Sequence, residues 1–228
     1  MVVTAVRPET GATIKPGPMI TVPAEREVTE HTYAEFAADS GLNGPFLADQ
    51  FSAFIAHERM GINLMRTLHA RSDNPMLRSR YKEMEAEAAQ AVEVWEMLIR
   101  DLGGNPQYAS PAGRCVESMD NKIIESLLLT GSADPMTLEQ AGLQACLGAA
   151  QMCLANVRLL EAFAREAGEG ESRRRMEAAA GRLRPMAQGH CDWACEMLEK
   201  TCVTQARHPM ARKVGQAAEK MVDKARSV

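Results

Sequence analysis

FLADQFSAFIAHERMGINLMRTLHAR, residues 46–71, is the stretch from which the fold can be read. Leu47, Phe51, Phe54, Ile55, Ile62 and Met65 recur at helical spacing and form one apolar stripe, with Glu58 in its middle. A carboxylate on a buried face needs a cation, a metal, a histidine or a strong donor opposite it, or else a proton of its own. The functional question is therefore what faces Glu58.

Working outward, Ser72-Asp73-Asn74-Pro75 ends this first helix and caps a second, which runs to Leu102 and stops at Gly103-Gly104-Asn105-Pro106. Tyr81, Met84, Ala88, Ala91, Trp95, Leu98 and Leu102 fall three and four apart, the seam of an antiparallel bundle helix. Glu83, Glu85, Glu87, Glu93 and Glu96 fall off that seam and read as solvated. A connector over 107–135 carries a short helix, roughly Cys115 to Leu129, and is long enough to travel from one end of a bundle to the other.

The third long helix spans about Met136 to Ala167, with a seam of Leu143, Cys146, Ala150, Cys153, Val157, Leu160 and Ala164. After Gly168-Glu169-Gly170 the fourth extends to about Val203, its seam passing through Ala180, Leu183, Ala187, His190 or Cys191, Ala194 and Leu198. Pro185 is expected to bend this helix one turn before the histidine.

The flanks differ in composition. Five prolines fall within residues 1–45, which read as an N-terminal arm outside the main domain, either a mobile tail or an arm that packs along a neighbouring subunit through Met19, Ile20 and Val22. Residues 204–228 read as a C-terminal amphipathic tail helix. From Met210 onward Arg212, Lys213, Lys220, Lys224 and Arg226 outnumber Glu219 and Asp223, for a net charge of +3. It is either a solvated end or a dock for an acidic partner surface.

Composition excludes several classes. A net charge of −4 gives no basic face for a polyanion, so no nucleic-acid partner is expected. No stretch of about 20 uncharged apolar residues stands out, so no membrane span is expected. The expectation is a cytoplasmic protein, whose six cysteines are too dilute for a disulfide scaffold and read as reduced thiols.

Two helical hairpins joined by a long crossover, the His57-Glu58-Arg59 triplet, LIRDLGGNP over Leu98–Pro106 and HCDWA over His190–Ala194 resemble a bacterial ferritin-like, rubrerythrin-related family. The likeness covers roughly residues 44–203 and implies an all-α, ferritin-like antiparallel four-helix bundle over 46–203. It also implies a dimetal centre of iron or manganese, held by a glutamate on the first and third helices and a Glu-x-x-His on the second and fourth. Glu58 matches the first glutamate and His190 the last histidine. Ala88, Ala91, Ala150 and Ala187 stand where four other ligands belong, and the alternative frame, Glu87 with Gln90, keeps one carboxylate off the seam.

Three occupants of the bundle centre remain open. Glu58 and His190 could pair with each other in a metal-free core. A single ion, whether iron, manganese, copper or zinc, could be held by Glu58, His190, Cys153 and Cys191, with Cys146 and the thioethers of Met84, Met152 and Met186 nearby. Alternatively, the alanines could leave an apolar cavity. A Cys191–His190 nucleophile pair is disfavoured, because adjacent residues on a helix point about 100° apart. The leading expectation is a homodimer or larger homo-oligomer with a degenerate dimetal centre, acting by binding or assembly. The alternative is a metal-binding protein of oxidative-stress or metal-handling type.

Overall fold

The structure is a computed structural model, and it describes residues 5–7, 12–14, 24–26, 30–129 and 134–207. The chain is all-α apart from a short antiparallel ribbon, in which β1 (Ala5–Arg7) pairs with β2 (Ala12–Ile14). Among the described residues the α-helices are α1 (Glu30–Glu35), α2 (Gly44–Arg71), α3 (Pro75–Asp101), α4 (Pro111–Leu129), α5 (Pro135–Glu166) and α6 (Glu171–Arg207). The C-terminal tail from 208 onward and the apolar residues Met19, Ile20 and Val22 lie outside the described residues.

Four helix starts follow one local rule: a short polar side chain accepts the first free N–H groups, and proline opens the helix where its missing N–H costs nothing. Asn43 caps Phe46 ahead of α2, Asn74 caps Met76 and Leu77 ahead of α3, and Asp134 caps Met136 and Thr137 ahead of α5. Ser110 does the same for α4, its Oγ accepting from the Gly113 N–H at 2.9 Å. The start of α6 is capped from a distance, by Asp39, whose carboxylate takes both the backbone N–H and the hydroxyl of Ser172.

The apolar stripes then assemble the helices. α2 packs on α3 and α5 on α6, the two hairpins meet through α3 with α6 and α2 with α5, and α4 lies along α2. Near its start α4 meets Asp49 and Ser52, in its middle Asp120 meets His57, and near its end Leu127 joins Leu68. The crossover therefore runs parallel to α2 and delivers the chain to the opposite end. Gly113 permits the close approach, since a Cβ there would stand 2.6 Å from the Ser52 Oγ.

The core begins before residue 46: Phe36 is buried, packs edge-on against Phe51 and presses on Gly104, so the last part of the expected arm belongs to the domain. The turn that inserts it passes through Ala37 at φ 52°, a left-handed conformation that disfavours a side chain, held by the Ala37 N–H bond to the Leu102 carbonyl. α6 includes Pro185 within one continuous helix. By length and composition alone α5 is long and apolar enough to cross a membrane, as the core helix of a bundle can also be. Its buried side contributes Leu143, Cys146, Ala150, Cys153, Leu154 and Val157 to the bundle interior.

Candidate functional site

The interior is two apolar clusters. One is aromatic-rich and gathers Phe36, Phe51, Phe54 and Trp95 with Val157, Leu160 and Met176. The other, around Tyr81, gathers Leu64, Met65, Leu68, Met84, Leu143, Cys146 and Ala194. On α2 the first ends at Ile55 and the second begins at Leu64, and between them lie the buried His57 and Glu58. The polar groups thus form a belt between the two clusters.

Glu58 is 6% exposed. Burial pushes its pKa up, and the neighbouring His57, the Cys153 thiol and the Trp95 indole N–H act in the opposite direction without overcoming it. Trp95 is fully buried and its Nε1–H has no hydrogen bond of normal geometry, although it stands near enough to the carboxyl to favour its ionised form. The Cys153 thiol is itself raised well above its usual range, by burial and then by Glu58.

His57 faces away from Glu58's partners. Its Nε2–H donates to the Ala149 carbonyl on α5 at 3.0 Å, and its Nδ1 lies 2.7 Å from Asp120 Oδ2 on α4. A carbonyl only accepts, so Nε2 carries a proton and Nδ1 is free to share a second with the carboxylate. Burial acts to lower the pKa of His57, and the Asp120 hydrogen bond and charge overcome it, giving a net rise. His57, Asp120 and the Ala149 carbonyl thus tie α2, α4 and α5 together at one level.

His190 belongs to another cluster. Its Nε2 is 2.5 Å from Glu87 Oε2, and Arg80 grips the same carboxylate with two bonds of 2.9 and 3.2 Å while stacking over the Trp193 ring. Burial would raise the pKa of Glu87, but Arg80 and His190 bring it down. Burial lowers that of His190. A neutral imidazole donating Nε2–H to an ionised Glu87 satisfies both. Glu87 is thus an interhelical partner, in contrast to its expected place on the solvated face.

The expected pairing of Glu58 with His190 is replaced by these two separate sets of contacts. The four expected donors Glu58, His190, Cys153 and Cys191 do not make a shared site: among the described residues, no group of three or more His, Cys, Asp or Glu side chains is placed to hold a metal ion. Burial also pushes the thiols up, Cys146 to about 12. Sequence reasoning missed His57–Asp120 because Asp120 sits on the crossover, whose facing no spacing rule fixes. The HER triplet that contains His57 was the available signal.

Comparison with protein-family models, with curated proteins and with solved structures finds no match to this chain.

Proposed function

We propose that this chain is a ferritin-like four-helix bundle with a degenerate dimetal centre, and that it acts by binding and self-assembly as a homodimer or larger oligomer. The order of the helices supports the first part. Two antiparallel hairpins, α2 with α3 and α5 with α6, are joined by a crossover that runs the length of the bundle. The observation that carries the second part is the composition of the central belt. Glu58 is buried there beside Cys153 and Trp95, Asp120 is taken up by His57, and Ala88, Ala91, Ala150 and Ala187 are buried where a bundle of this kind would supply ligands.

The residues present do not fit a pair of ions. Each of the two clusters already satisfies its own charges, Asp120 with His57 and Arg80 with Glu87 and His190. A core of this kind holds its helices in register through polar contacts, which supply specificity more than stability.

Two measurements test the reading. Elemental analysis of protein purified without added metal is expected to find less than one ion per chain, unchanged in Glu58→Ala and His190→Ala. Stoichiometric metal that both substitutions abolish would overturn the degenerate centre. The mass in solution is expected to be that of a dimer or a larger closed assembly, and a monomer at micromolar concentration would remove the assembly part.

A further inference from the structure

α4 and α5 flank α2 at the level of His57, which binds Asp120 of one and the Ala149 carbonyl of the other. At about 100° per residue, Met119 and Ile123 project from one flank of α4 relative to Asp120, and Glu117 from the opposite flank, where it meets Arg26. The Met119–Ile123 flank is therefore the one toward α5. On α5, Met152 follows Ala149 by three residues and Leu159 stands one turn before Phe163, whose ring meets Phe46 of α2 edge-on at 6.3 Å.

These side chains share one face of the molecule and are about half exposed: Phe46 51%, Met119 60%, Ile123 44%, Met152 49% and Leu159 43%. At roughly 200 Å2 for a whole side chain they leave about 500 Å2 of apolar surface uncovered, a large patch for a monomer. With the polar groups between them the face comes close to the ~800 Å2 that each partner contributes to a stable protein interface.

The charges say which partner fits. α5 carries no charged side chain from Gln140 to Val157, and Lys122 of α4 is paired with Glu125 at 2.6 Å. A charged face repels its own copy across a two-fold axis, whereas an uncharged one can be laid against itself. Gly148 gives separate support. It lies within α5, and a Cβ there would have nothing within 4 Å, so packing inside the single chain gives no reason for a residue that weakens a helix. What glycine permits is close approach of another backbone.

We infer that this α4–α5 face is a homodimer interface: a second copy of the chain packs on it about a two-fold axis, with Gly148 and Met152 in the central contact. The inference rests on the assembly reading proposed above and gives that assembly its surface.

The test measures the mass of the full chain by sedimentation across a concentration series. Met152→Glu and Ile123→Glu place a carboxylate on a half-exposed position, so each single chain should keep its helix content and cooperative melting. Dimer dissociation should become at least about a hundredfold easier, tenfold for each of the two symmetric copies. Gly148→Leu fills open space in the single chain and should also weaken the dimer. Met76→Glu, on an exposed side chain in the first turn of α3, should leave it intact. A wild-type dimer that persists in all three face variants, or one that Met76→Glu breaks equally, would overturn this surface and leave assembly standing. A wild-type chain that is monomeric at micromolar concentration would overturn both, leaving the face to another occupant such as residues 208–228 of the same chain.

Discussion

Glu58→Gln separates the charge of the central belt from its shape. The carboxyl is buried and its folded-state pKa lies above its unfolded value of about 4.3. Below that unfolded value the acid is protonated in both states, and the folded chain holds the full benefit of its tighter proton. As pH rises past the unfolded pKa, the unfolded chain releases its proton while the folded chain retains it, and stability drains away until the folded pKa is passed. The slope in that window approaches 1.36 kcal/mol per pH unit, so about two units of pH suffice for a change well above the error of a denaturant midpoint. Glutamine has no proton to release, and any fixed cost of its extra N–H groups is the same at every pH. Urea unfolding of the two proteins across a pH series starting at pH 4 should therefore show wild-type stability falling relative to Glu58→Gln as pH rises past the unfolded value, and levelling off once the folded value is passed. A difference that stays flat across this range would mean that Glu58 is ionised and satisfied in the folded chain, and the account of the belt would fail.

Other substitutions probe the contacts around it. Asp120→Asn removes the anion that raises His57, so the imidazole should titrate at lower pH by NMR and the chain should lose about 1–3 kcal/mol. Because the His57 contribution is full below its unfolded pKa and fades as pH rises through the folded one, the loss should be larger at pH 6 than at pH 9. Gly113→Ala puts a Cβ within 3.2 Å of the Ser52 carbonyl oxygen as well as against its hydroxyl, and should lower stability by about 1–3 kcal/mol through displacement of α4, seen as a lower Tm. Asp39→Ala uncaps α6 and should cost about 1 kcal/mol, with faster hydrogen exchange confined to its first turn.

The long helices were legible because their evidence is local. Three- and four-residue spacing marks the buried faces of α2, α3, α5 and α6, and Asn74-Pro75 and Asp134-Pro135 mark where two of them begin. Phe36 was not legible, since one aromatic residue beyond the periodic stretch gives no sign of folding back on Phe51. Within the site, burial of Glu58 followed from its place in the stripe, whereas its partners did not. Which side chain meets which depends on the axial offset of one helix against another, which spacing along a single helix does not fix. Glu87 shows the same limit: off the seam by its spacing, it still reaches His190 because Arg80 draws its carboxylate back along α3.

The separation of the hydrophobic interior into two clusters bears on how the molecule breathes. One end is clamped by interlocking rings, Phe51 touching Phe36, Phe54, Trp95 and Phe163, while the other relies on leucine and methionine around Tyr81. With few apolar contacts bridging the middle, transient opening of the leucine-rich end need not propagate into the aromatic one. Amide protons of α5 near Leu143 should then exchange through smaller excursions than those near Leu160, giving a single helix two distinct lifetimes.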